Sequence, residues 1–294
     1  MNNFFPWYLF GKRENGANTI IRRAIYHKTN TDTSEFSNQL LTTNLLEVRR
    51  MISAYGRGKL RQEDLQFIVT SLCREGEKEA TLLKLLADPD TRDAMLDHPR
   101  LLVCLLEKQR TASLSLFLYF YILVRQALKT YKIDDRAVSD YVAGVLAEFA
   151  KGNRAYRVDS HSTKEYRYLV DIMQDLLAAN SEQTFHLRSH LGNYALFLTG
   201  LFPDFVYHRV KYHPPSPDFS YYEQVGSNNF QLAAQHAMAE RYRLSEILDL
   251  LGRRFQRVRL ALNHMADRFL HMDRNPGATD KVMRRVDHFI DTRQ

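Results

Sequence analysis

The sequence predicts an all-α fold, on three observations. Apolar residues recur at three- and four-residue steps along most of the chain, the period of one helix face. Glycine and proline are scarce, 12 and 8 in 294 residues, too few for a turn-rich β fold. The most hydrophobic run, whose ten apolar residues stand at 114 and 116–124, has only two β-branched members, Ile122 and Val124. The expectation is a bundle of about eight to eleven helices around a buried hydrophobic helix, Leu101–Tyr131. At 34.4 kDa and 45% hydrophobic, the chain can bury a sizeable core and is not wholly disordered.

The elements follow in order. Residues 1–35 keep no sustained period and read as a mobile arm. From Ser37 the stripe Leu40, Leu41, Leu45, Val48, Ile52 predicts a helix, stopped by Gly56 and Gly58. Leu65, Phe67, Ile68 and Leu72 mark a second, with Glu63 and Asp64 in its first turn, where the dipole favours acids. Glu77 to Leu86 is a third, ended at Asp88-Pro89, and Asp90 to Asp97 a short fourth, stopped by Pro99. The run within Leu101–Tyr131 has no polar face, so protein should surround it. Asp134-Asp135 opens a helix with the stripe Val138, Tyr141, Val142, Val145, Leu146, Phe149.

Residues 151–163 are polar and are the one point where the helical domain, 36–272, would divide. Two helices, Lys164 to Ala179 and Ser181 to Thr199, should meet at Asn180-Ser181, with Ser181 as N-cap. Gly200 then reads as the residue that ends the second, with Pro203 blocking its continuation. Tyr207 to Pro217 reads as a loop because Pro214, Pro215 and Pro217 exclude a helix interior. A last helical region, Asn229 to His271, is too long to run unbroken, and a kink is expected near Gly252. Residues 273–294 form a tail whose Val282, Val286 and Phe289 are spaced as on a short helix.

Charge is concentrated at the ends. The formal net charge of +7 divides into +3 over residues 1–34, −1 over the next 206 and +5 over residues 241–294. Thr111 to Val124 spans about 21 Å as a helix, short of the ~30 Å hydrocarbon core, so a buried helix is expected there and no membrane association. The apolar segment from Phe4 to Phe10 has neither the basic start nor the cleavage site of a signal peptide. Two cysteines, Cys73 and Cys104, make no disulfide framework, and a cytoplasmic location is expected.

Three constellations could carry function. Glu182, His186 and His190 are four apart on one helix face, and His236 and Glu240 repeat the spacing on another. Imidazoles and carboxylates so placed suit iron, manganese or zinc. The Glu-to-His steps are four, however, and not the three of carboxylate-bridged di-iron bundles. Arg253, Arg254, Arg257 and Arg259 form a basic cluster that could contact nucleic acid. The helices before it, Gln231 to Tyr242 and Ser245 to Leu251, loosely suggest a helix-turn-helix without its turn glycine. Tyr207, Tyr212, Tyr221 and Tyr222 with His208, Arg209, Lys211 and His213 mix aromatics and cations, as single-strand nucleic-acid surfaces and protein hot spots do. Asp171 and Asp175 share a helix face and read as solvated acids. Nucleotide-binding glycine motifs, zinc-protease and nucleophile-elbow motifs and Cys-x-x-Cys are missing from the sequence.

The leading expectation is therefore a non-enzymatic interaction or scaffold protein, bound to a protein partner and needing no cofactor. A transition-metal enzyme using Glu182, His186, His190, His236 and Glu240 is the alternative. Nucleic-acid binding through the C-terminal arginines is a third reading.

Overall fold

The computed structural model describes residues 60–73, 79–107, 114–150, 155–158, 164–166, 169–212 and 216–270. The expected arm at 1–35, the helix from Ser37, most of residues 151–163 and the tail at 273–294 lie outside them. Among the described residues there are thirteen α-helices and no strand. The all-α expectation holds, with more and shorter helices than the eight to eleven expected.

The first helices are α1 (Gln62–Leu72), α2 (Glu79–Leu85), α3 (Pro89–Leu96), α4 (Pro99–Glu107), α5 (Leu116–Thr130) and α6 (Arg136–Phe149). Then come α7 (Leu169–Ala178), α8 (Ser181–Leu201), α9 (Pro203–Tyr212) and α10 (Phe219–Ala234). The chain closes with α11 (Ala237–Arg241), α12 (Ser245–Arg253) and α13 (Phe255–Met265), the last running into a π-turn at Ala266–Leu270.

Short polar residues set five of the starts. Asp88, Ser115, Asp135, Asn180 and Asp218 each accept a hydrogen bond from the backbone N–H three residues on, at 2.8–3.0 Å. Each cap satisfies a donor that the first turn leaves unpaired. The cap of α8 is thus Asn180 and not Ser181, because Gln183 also reaches back to the Asn180 N–H at 3.1 Å and completes a capping box. Pro89, Pro99 and Pro203 each open a helix, since proline at the first position gives up no hydrogen bond. Pro99 and Pro203 were expected only to stop one.

The expected helix Leu101–Tyr131 is two helices, α4 and α5. The break is built from a distance: Ser115 caps α5 with its hydroxyl and donates its N–H to Asp64 Oδ1 at 2.8 Å. Asp64 is fully buried, so α1 pins the start of α5. From Leu116 to Leu128 no residue of α5 is exposed, as its apolar composition demands. α5 packs on α6, α6 on α12, α12 on α10, α10 on α8, α8 on α13, and α13 returns to α5. This closed cycle of six helices surrounds the core, and α1–α4 join it through the contact of α4 with α5. α8 shares the central role with α5, burying most of its 21 residues.

Two glycines set the closest approaches. A Cβ on Gly192 would lie 2.6 Å from the Phe230 ring, and one on Gly226 would overlap the Phe255 ring. Gly200 and Gly252 are likewise buried inside helices. Gly200 therefore does not end α8, which runs on to Leu201, and the break expected near Gly252 falls at Arg254. The remaining run from Asn229 is also interrupted at 235–236 and 242–244.

One charge is taken into this interior. Arg125, 2% exposed, donates to Asp97 Oδ1 at 2.7 Å and Oδ2 at 3.0 Å, and also to Asp134. Arg136 adds a bond to Asp97 at 2.9 Å, so α3, α5 and α6 are joined through Asp97. Burial pushes the Asp97 carboxyl up, but hydrogen bonds from Arg125 and Arg136 outweigh it and hold it below its ordinary value.

Two predictions follow from this core. Leu118→Asp places an unpaired charge at a fully buried site and is expected to abolish the cooperative melt followed by circular dichroism. Asp97→Asn is expected to cost about 3 kcal/mol at pH 7, the low end for a buried pair because Asp134 stays with Arg125. The stabilisation from the depressed carboxyl is complete above the unfolded value near pH 4 and is lost as pH falls through the lower folded value. Urea denaturation at pH 7 and pH 3 should therefore show the gap between wild type and Asn narrowing in acid. A gap independent of pH counts against the pairing.

Candidate functional site

The first three turns of α8 carry Glu182, His186 and His190. His186 Nε2 lies 3.9 Å from Glu182 Oε1, the i,i+4 contact expected of one face. His190 is buried, edge-on to Phe149 at 5.6 Å and stacked with Tyr194 at 6.3 Å between centroids.

His236 does come to the start of α8. Its ring lies 5.5 Å from Phe185, and its Nε2 is 3.0 Å from Ser181 Oγ. Its Nδ1 accepts the Met238 N–H at 3.2 Å as the N-cap of α11, so Nε2 carries the proton and donates to Ser181. Both nitrogens are engaged, and binding a metal through Nδ1 would uncap α11. Glu240 is exposed on α11. Among the described residues, no three or more His, Cys, Asp or Glu side chains form a group that could hold a metal ion. The five residues of the metal reading are thus brought near one end of α8 without converging.

The arginine cluster is divided by the fold. Arg253, Arg254 and Arg257 are exposed, and Arg253 is paired with Asp249 at 2.5 Å. Arg254 is the non-helical junction between α12 and α13. Arg259 points inward: it donates to Glu223 at 2.5 Å and to Asn263 Oδ1 at 2.8 Å, with its guanidinium 5.2 Å from the Phe219 ring centre. Asn263 passes the connection on, donating to the carbonyls of Thr199 and Gly200 at 2.7 and 2.8 Å. Arg259 therefore ties α13 to α10 and, through Asn263, to the end of α8. A helix-turn-helix with a helix from Gln231 to Tyr242 is not formed. α10 ends at Ala234, and the turn before α12 is made by Arg243 at φ 56°, a left-handed conformation that favours glycine.

No family model matches the chain, and no curated protein or solved structure matches it either.

The aromatic and basic residues of 207–212 are helical, on α9, and not a loop. The three prolines that suggested a loop all follow the end of α9, and Pro203 begins it. Val206 is its only buried residue; His208, Val210, Lys211 and Tyr212 are exposed, and Phe205, Tyr207 and Arg209 are half-buried. Tyr222 is buried, and Tyr221 donates to Met173 Sδ at 3.9 Å, so neither belongs to this surface in the way Tyr212 does. His213 lies outside the described residues. On α7, Asp175 accepts from Lys164 at 2.5 Å and Tyr166 at 2.7 Å, which lowers its pKa and makes it a structural acid.

Sequence reasoning missed the Asp97–Arg125–Asp134–Arg136 assembly. One signal was available: Arg125 directly ends the longest uncharged apolar run, so on a buried helix it must find carboxylates.

The arginines yield a direct test. Arg259→Gln leaves Glu223 without its buried partner and is expected to cost about 3 kcal/mol in urea denaturation. Arg254→Gln and Arg257→Gln, on the surface, should each change stability by less than ~0.5 kcal/mol. Equal effects at all three positions would contradict this division.

Proposed function

We propose that the protein is a non-enzymatic helical module that binds a protein partner. The observation that carries the reading is the outer face of α7. Leu169 and Ile172 anchor this helix to the core, while Val170 and Leu177, seven residues apart along one flank of the buried stripe, are 50% and 90% exposed. An amphipathic surface helix would carry polar residues there. Burying a Leu or Val side chain is worth about 1.5–3 kcal/mol, and an interface would recover what solvent exposure leaves unused. Val103 and Leu106, 48% and 37% exposed on α4, add a second apolar stripe. A cytoplasmic location belongs to the same reading, supported by Cys73 and Cys104, neither of which is in a disulfide. No described helix is long and apolar enough to cross a membrane.

The test is quantitative affinity capture with wild type beside the double variant Val170→Asp, Leu177→Asp. Both changes are at exposed positions, so the melting temperature should stay within a few degrees. A partner retained in stoichiometric amount by wild type and lost from the variant is the expected outcome. Identical sets of retained proteins would remove α7 from the interface and the reading with it.

A further inference from the structure

The surface of α9 has a chemistry that α7 lacks. Ten residues long, it buries only Val206, yet three of its residues are aromatic: Phe205, Tyr207 and Tyr212. Phe205 and Tyr207 are half-buried, but Tyr212 is exposed, and a short helix gains little from a ring left in water. The rings are also ordered. His208 and Tyr212, one turn apart, stack with centroids 5.5 Å apart and planes at 20°. Tyr207 meets His208 edge-on at 6.2 Å. Lys211 Nζ sits 5.1 Å from the Tyr212 ring centre and 5.9 Å from that of Tyr207, and Arg209 lies 5.8 Å from the Phe205 ring. Tyr212 is 58% exposed.

Charge on this half of the helix has one sign. Between Tyr207 and Tyr212 stand Arg209 and Lys211 and no carboxylate; the helix's one acid, Asp204, is one turn before His208 and two before Tyr212. Cations in a last helical turn also offset the helix dipole, so Arg209 and Lys211 alone indicate nothing further. The exposed parallel rings between them do. A stacked pair of exposed rings can extend its stack with a flat, neutral ring once the Lys211 ammonium moves from the Tyr212 ring to an anion joined to that ligand. A base with its phosphates has both features.

We propose that α9 is a contact surface for single-stranded nucleic acid, with a base stacked on Tyr212 over His208 and phosphates at Lys211 and Arg209. A duplex keeps its base faces covered and could use only the two cations, as could an acidic peptide. The proposal rests on reading the chain as a macromolecule-binding module, but on a different face from α7 and with a different class of partner.

Fluorescence anisotropy of the full chain with a labelled oligothymidylate of about 12 nucleotides tests it, within the range of site sizes for such surfaces. Wild type is expected to bind at low salt, with a log–log salt slope of about −1.4 for two neutralised phosphates. Tyr212→Ala should weaken binding about tenfold, as loss of one stacked base requires, while Tyr212→Phe keeps it. Lys211→Gln should lower the slope by about 0.7. Arg254→Gln with Arg257→Gln should leave affinity unchanged, which separates α9 from the basic corner at α12–α13. All these positions are exposed, so melting curves should match wild type. The Val170→Asp, Leu177→Asp protein should bind the oligonucleotide normally, so the α7 and α9 readings can fail separately. Absence of binding at low salt, equal affinity for the same sequence as a duplex or for an oligoglutamate peptide, or an unaffected Tyr212→Ala protein each overturns the proposal.

Discussion

Close approach of α8, α10, α12 and α13 is the constraint on which the rest of the structure depends, and residues without side chains make it possible. The Phe230 ring occupies the place of a Cβ on Gly192, and the Phe255 ring that of a Cβ on Gly226. Each glycine costs helix stability of about 1 kcal/mol relative to alanine. The aromatic ring buried in return contributes more, at roughly 1.5–3 kcal/mol. The same approach brings the end of α8 under α13, where Asn263 hydrogen-bonds two of its last carbonyls, at Thr199 and Gly200. Helix ends leave carbonyls unpaired, and here a side chain from another helix satisfies them.

Close packing explains why arginines are found inside. Arg125 and Arg259 are nearly fully buried, each with carboxylates and each at a helix junction: Arg125 joins α3, α5 and α6, and Arg259 joins α13 to α10. A planar guanidinium with several donors can reach partners on more than one helix, which an ammonium does less well. Such pairs contribute little net stability compared with apolar replacements, but removal of one partner strands the other. They therefore fix which helices meet. The formal charge of the C-terminal region consequently overstates what is offered to a ligand, since Arg259 is internal and Arg253 already has Asp249.

The surface left by this packing is uneven. α7 and α9 flank α8 at its two ends, and both are held by few residues: Leu169 and Ile172 for α7, Val206 for α9. Each leaves four of its ten residues exposed. In α7 these are Val170, Gln174, Leu177 and Ala178, and in α9 they are His208, Val210, Lys211 and Tyr212. The difference points the two helices to different partners.

What the sequence determined by itself was class and interior: helices throughout, a buried apolar run within the expected Leu101–Tyr131, and the buried stripe of α6 from Val138 to Phe149. These depend on period and hydrophobicity, which are local. Its punctuation was less legible. Gly200 read as a helix end because an isolated glycine weakens a helix, yet it lies within one, its missing Cβ making room for a neighbour, while the break expected near Gly252 falls two residues on. Pro99 and Pro203 read as stops, although a proline that ends one helix can open the next at no cost in hydrogen bonds. The candidate sites divided along the same line. Spacing placed Glu182, His186 and His190 on one face correctly, but whether that face met ligands, rings or water depended on α6, α10 and α11. Arg259 and Arg257 are two residues apart in one basic cluster, and only the position of Glu223, 36 residues earlier, sent one inward and left the other outside. Local sequence fixes which face a side chain occupies; the partner that decides its role is brought there by packing.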